Sequence, residues 1–167
     1  MTTATTRRMD TVSSPLGDLV VVTTDRALVG LSFVDYPSRW WQRSQSSAMV
    51  PMANPLGMRD RLTAYFDGDC SVWDGMAIAA EGSPFQQRVW HQLRQIPAGQ
   101  TITYGELAEA LGDPKAVRAV AMANAQNPVA IAIPCHRVIG KNGSLTGYAG
   151  GLDRKRWLLV HEAALLA

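Results

Sequence analysis

"TYGELAEALGDPKAVRAVAMANAQNP", residues 103–128, decides the fold of the second half of the chain. It reads as two short helices. Glu106 to Leu111 is rich in alanine and leucine, "GDP" interrupts it, and Pro114 suits the first turn of a second helix running to about Ala125. Ala116, Ala119, Val120 and Ala123 give that second helix a narrow face of small side chains, while Arg118 and Met122 sit one turn apart on another face. Two readings fit this stretch. It is either an αα-hairpin that completes a core, or a helix-turn-helix whose small residues let the backbone approach a nucleic acid.

Upstream, "SPFQQRVWHQL" (83–93) starts a helix strongly: Ser83 caps, Pro84 takes the first position, and Gln86 completes a Ser-x-x-Gln capping box. Phe85, Val89, Trp90 and Leu93 form its core stripe, and "IPAGQ" ends it. The first half reads differently. "SSPLGDLVVVTTDRALVGLSFVD" (13–35) predicts antiparallel strands joined by tight turns. Residues 38–57 are polar, contain prolines and lack clean periodicity, which predicts a long loop. "NPLGMRDRLTAYFDG" (54–68) predicts a helix capped by Asn54, with Pro55 at its first position and Gly68 at its exit. "DGMAIAAEG" (74–82) predicts one more strand. We place a domain boundary near residue 80, giving an N-terminal unit over 1–79 and a C-terminal unit over 80–167. Residues 1–9 form an expected disordered tail.

The bulk numbers exclude several classes. Of the 167 residues 47% are apolar and 18% charged, which argues for a globular core and against global disorder. No apolar run reaches the roughly 18 residues of a membrane helix, and the N-terminus lacks the apolar core of a secretory signal. The expectation is a cytoplasmic protein with two free thiols, Cys70 and Cys135. Formal charge is only +2 overall, but it is uneven: residues 1–79 carry −1 and residues 80–167 carry +3. The second half is the better candidate to meet a polyanion.

"IAIPCHRVIG" (131–140) carries the chemistry. Read locally, Cys135 is a buried core thiol after a strand-like "VAIAI" run, or a nucleophile. A zinc site is disfavoured, because Cys70, Cys135, His91, His136 and His161 are scattered with no CxxC or HxxxH spacing. A nucleophile needs a base and a group to orient that base. His136 is adjacent, although neighbouring side chains tend to point apart and a bridging water is an alternative. Glu162, near the end of a terminal helix in "RKRWLLVHEA" (154–163), is the candidate orienting carboxylate, and His161 its competitor.

"IPCHRVIG", with "FQQRVW", "TYGELA", "PKAVRAV" and "NP" before it and "GYAGGLDRKRWLL" and "HE" after it, resembles the O6-alkylguanine-DNA alkyltransferases, the methylated-DNA–protein-cysteine methyltransferases. The likeness runs in order over residues 80–163. It implies an α+β chain: a small N-terminal α/β domain with an antiparallel, RNase H-like sheet, and a mostly helical, winged helix-turn-helix-like domain. It also implies a repair protein that acts once, moving the alkyl group from O6 of guanine, or O4 of thymine, to Cys135. In that scheme His136 takes the thiol proton through a water and Glu162 orients the imidazole. Asn127 is the hinge that ties the helices to the active-site strand, and Tyr104 turns the target phosphate and meets the flipped base. Arg118 fills the gap left in the base stack. Tyr148 and Ala149 lie in the pocket loop, the carbonyls of Val138 and Cys135 meet the guanine amino group, and Asn124 is a further DNA-facing position. The implied partner is double-stranded DNA bound through its minor groove by a monomer, with no cofactor and no metal. A non-catalytic damage binder and a cysteine hydrolase are the competing functions.

Overall fold

The structure is a computed structural model that describes residues 5–45 and 48–166. Its first half is built on a sheet of four strands: β1 (Arg7–Val12), β2 (Leu19–Thr23), β3 (Leu28–Phe33) and β4 (Met49–Pro51), in the order β3-β2-β1-β4. β2 and β3 run antiparallel as expected, β1 pairs antiparallel with β2, and β4 adds to β1 in parallel. Leu19 and Val21 of β2 face the main core, whereas Val20 and Val22 face a smaller cluster on the outer side. A bulge opposite Val22 and Thr23 lets Leu28 and Leu31 share the inner face although they are three residues apart.

Three sequence expectations fail in this half. The expected tail over 1–9 is strand from Arg7 onward, held between β2 and β4; residues 1–4 lie outside the described residues. The expected loop over 38–57 contains helix α1 (Arg39–Ser44), strand β4 and a 3-10 turn at Pro55–Gly57. Ser38 caps α1 by accepting from the Trp41 amide at 3.1 Å, and Trp40 buries its ring over Gly30. One buried tryptophan is enough to dock a six-residue helix without any periodic pattern. The expected strand at 74–82 reduces to a single bridge between Ile78 and Leu28.

Helix α2 (Met58–Phe66) begins four residues after Asn54, not directly after it, because Asn54, Leu56 and Gly57 take left-handed backbone angles. The Asn54 side chain still accepts the Arg59 amide at 2.8 Å. Arg59 in turn grips Asp10 of β1 through Nε at 2.6 Å and Nη2 at 2.8 Å, holding that carboxyl down at a pKa of about 2 against the effect of burial.

The second half is helical: α3 (Pro84–Leu93), α4 (Tyr104–Ala110), α5 (Val117–Ala125) and α6 (Leu152–His161), with a two-stranded parallel ladder of β5 (Ile102–Thr103) and β6 (Val138–Ile139). The Ser83–Gln86 capping box is present, and Val89, Trp90 and Leu93 are buried. Trp90 donates from Nε1 to the Ala123 carbonyl at 2.9 Å, tying α3 to α5. Helix α5 starts at Val117; Pro114 belongs to the preceding turn. Only Val120 and Ala123 of the small-residue face are buried, and Ala119 is exposed. One apolar cluster, from Val21 and Leu31 through Tyr65 to Val120 and Leu158, joins both halves. No described helix is long and apolar enough to cross a membrane.

An added Cβ at Gly30 would run into the Trp40 ring. We expect Gly30→Ala to lower stability by about 1–3 kcal/mol through overpacking, measured by urea denaturation; an unchanged midpoint would place Trp40 elsewhere.

Candidate active site

Strand β3 offers its free edge to the chain that leads into Cys135. The Leu31 amide donates to the Pro128 carbonyl at 3.0 Å and the Ala130 amide to the Leu31 carbonyl at 2.9 Å. The expected strand "VAIAI" extends no further than this bridge. Beyond it the backbone turns: Ile131 has a φ of 71°, and the Ile133 amide reaches back to the Val129 carbonyl at 3.0 Å. A left-handed isoleucine is strained and needs fixed surroundings. Asn127 supplies them, accepting the Val129 amide at 2.9 Å and donating from Nδ2 to the Ile133 carbonyl at 2.7 Å.

Cys135, His136 and Arg137 form one 3-10 turn after Pro134, and all three are buried. The end of α6 meets this turn. His136 Nε2 lies 2.9 Å from Oε1 of Glu162, which caps the helix. Arg137 adds a two-pronged contact to the same carboxylate, with Nε and Nη2 each at 2.8 Å. Tyr65, from α2, donates its hydroxyl to Oε2 at 2.7 Å. Burial alone would raise the Glu162 pKa, but Arg137 and His136 outweigh it and hold the carboxyl well below the usual range. Glu162 is therefore a buried anion.

With that anion accepting at Nε2–H, the neutral imidazole carries its lone pair on Nδ1, and Nδ1 has no hydrogen-bond partner among the described residues. Burial lowers the His136 pKa, against the pull of Glu162. Burial also raises the Cys135 thiol, while an Asn127 hydrogen bond and the Lys155 charge act in the opposite direction. The resting pair is thus neutral thiol and neutral imidazole, with a base site free.

The β5–β6 ladder pairs Ile102 with Val138 and Thr103 with Ile139, which carries Tyr104 to the same region. Its hydroxyl donates to the Thr146 carbonyl at 3.1 Å. Burial raises the phenol pKa and keeps the proton in place. Lys155 is buried; it donates to the Thr146 carbonyl at 2.8 Å and to the Val138 carbonyl at 2.5 Å, and burial pushes it down to about 8. Tyr148, Ala149 and Gly150 line a small cavity with Cys135.

Other expected residues sit apart. Arg118 is exposed on α5, as is Met122. Asn124, expected to face DNA, is 2% exposed and turns inward, donating to the Cys135 carbonyl at 3.4 Å. It occupies the buried side of α5 beside Ala123, under the turn that bears Cys135. His161 does not reach Glu162: it contacts the Tyr65 carbonyl at 2.6 Å and stacks on Trp157. Arg137, Tyr65 and Lys155 were missed. Arg137 alone had a signal, since it follows the Cys-His pair directly. Among the described residues no three His, Cys, Asp or Glu side chains come together as a metal-ligand set.

Residues 84–164 match the family model described as 6-O-methylguanine DNA methyltransferase, DNA binding domain. The chain is 46% identical over 162 residues to a methylated-DNA–protein-cysteine methyltransferase of Shigella flexneri, covering 93% of this chain and 95% of that one. A protein of the same name from Salmonella typhimurium is 47% identical with the same coverage. Among solved structures, OGT of Mycobacterium tuberculosis in complex with DNA superposes with a TM-score of 0.79 at 40% identity, over 95% of this chain and 92% of that one.

The buried ion network makes stability depend on acid. The folded pKa values of Glu162 and His136 both lie below their ordinary values of 4.5 and 6.5, so the unfolded chain binds more protons in acid. We expect the urea midpoint to fall from pH 7 to pH 4, and Glu162→Gln to flatten the part of that fall below about pH 4.5. Arg137→Ala, which strips a partner from a buried charge, should cost about 3–5 kcal/mol.

Proposed function

Since the chain belongs to the family of methylated-DNA–protein-cysteine methyltransferases, we propose that it repairs duplex DNA by moving the alkyl group from O6 of guanine irreversibly to Cys135. The observation that carries this reading is the buried turn that sets Cys135 next to His136, whose Nε2 is held at 2.9 Å by the buried Glu162 carboxylate.

His136 Nδ1 takes the thiol proton, directly or through one water, and the buried Glu162 anion stabilises the imidazolium that forms. Asn127 steadies the thiolate. Sulfur then attacks the alkyl carbon: the S–C bond forms as the C–O6 bond breaks, and the electron pair leaves with guanine. The Tyr104 hydroxyl, which keeps its proton, offsets that charge by donating a hydrogen bond, and the thiol proton held on His136 passes through solvent to the released guanine. The thioether has no leaving group that water can displace readily, so each molecule reacts once. The alkylated O4 of thymine presents the same alkyl–oxygen bond and is a second substrate.

Cys135 is only 7% exposed, and a base within a stacked duplex does not reach it. The damaged nucleotide is flipped out, at a cost of a few kcal/mol that is least for a badly paired base. The outer face of α5 supports minor-groove entry: Arg118 is exposed and makes no described hydrogen bond or ion pair, flanked by Ala119 and the exposed Met122. Arg118 fills the vacated stack, and the pocket loop at Tyr148 and Ala149 receives the base. Residues 80–167 carry chemistry and DNA binding as a monomer, with 1–79 as the supporting domain. The two free cysteines suit a reducing cytoplasm.

A duplex carrying one O6-methylguanine should transfer a single methyl equivalent, found as a mass gain on the Cys135 peptide. Cys135→Ala should gain nothing, and Glu162→Gln should slow transfer by about 10²-fold or more. Turnover beyond one equivalent overturns the suicide mechanism; tight binding without mass gain favours a damage binder.

A further inference from the structure

The cavity that Cys135 shares with Tyr148 and Gly150 is bounded on its far side by the N-terminal half. Phe33, Tyr36 and Ser38, from the end of β3 and the turn before α1, line it. Its volume is about 30 Å³, whereas an apolar cavity that accepts benzene is about 150 Å³. A methyl group fits this space as it stands, and an aromatic alkyl group requires a wall to move.

Three sides of the cavity are fixed. Phe33 is 2% exposed, and the Arg154 guanidinium lies over its ring at 4.2 Å. Arg154 also donates to the Leu16 carbonyl at 2.8 Å and the Gly150 carbonyl at 3.2 Å, and pairs with Asp35 at 2.9 Å. A Cβ at Gly150 would stand 3.0 Å from both Phe33 and Tyr148, so those rings leave no slack there. The Ser38 hydroxyl is committed to capping α1.

Tyr36 differs. It is 56% exposed, and no described hydrogen bond holds its ring; its amide donates to the Phe33 carbonyl at 3.1 Å. We infer that Tyr36, a residue of the N-terminal half, is the movable wall of the alkyl pocket and sets the largest alkyl group that Cys135 accepts. In the position seen here Tyr36 bounds a methyl-sized space. A bulkier group enters only when the ring swings further into solvent.

This inference rests on the alkyl-transfer reading, and the test separates the two. Single-turnover transfer from duplexes bearing O6-methylguanine or O6-benzylguanine is followed as mass gain on the Cys135 peptide. Tyr36→Ala should raise the ratio of benzyl to methyl rates about tenfold or more, while Tyr36→Phe, which keeps the ring, should stay near the wild-type ratio. Methyl transfer by each variant reports that it folds. A Tyr36→Ala ratio equal to wild type, with methyl transfer intact, overturns the role of Tyr36 alone. Absence of methyl transfer in the wild-type protein overturns the alkyl-transfer reading and this inference with it.

Discussion

A single buried carboxylate organises this molecule. Glu162 accepts from His136, twice from Arg137 and once from Tyr65, so its oxygens are saturated in a place that water does not reach. Taking such an anion out of water costs several kcal/mol, and only good geometry offsets it. The geometry therefore has to be complete. It fixes the end of α6, the 3-10 turn that bears Cys135, and helix α2 of the first half in one arrangement. The same four hydrogen bonds that make the charge tolerable also set the imidazole tautomer.

Neutrality before reaction follows from that arrangement. Burial holds the thiol protonated and the imidazole unprotonated, so no free thiolate is exposed to oxidants. In the proposed transfer the ionic pair forms beside a fixed anion and the Asn127 amide. Asn127 does two jobs with one side chain: its hydrogen bonds hold the turn with the strained Ile131, and that turn aims the cysteine. Lys155 stiffens the opposite side by joining the Val138 and Thr146 carbonyls.

Local rules read parts of this fold well. The Ser83 capping box, the α3 stripe and the β2–β3 hairpin each have a short-range signature, and each is present. Glu162 was legible as the orienting group because it ends a helix that follows the Cys-His pair. What escaped depends on contacts between distant segments. Trp40 docks α1 through one side chain, and no period announces that. Strand β1 looks like a polar tail until β2 and β4 flank it. "VAIAI" has the composition of a strand, yet the β3 edge accepts only its first residues before Asn127 imposes a turn. Tyr65 is 97 residues from Glu162, and nothing in its own helix marks it as more than core.

The first half is more than a support in one physical sense. The region that matches the family model begins at residue 84, yet the bridge at Leu31, the hydroxyl of Tyr65 and the cavity wall at Phe33 all come from earlier in the chain. Remove them and the edge that fixes the Cys135 turn has no partner, Glu162 loses a donor in a dry site, and the pocket opens on one side. Chemistry encoded in the later residues thus depends on geometry supplied by the earlier ones. That dependence explains why one apolar cluster runs through both halves: a flexible joint between them would let the turn, the carboxylate and the cavity wall lose register together.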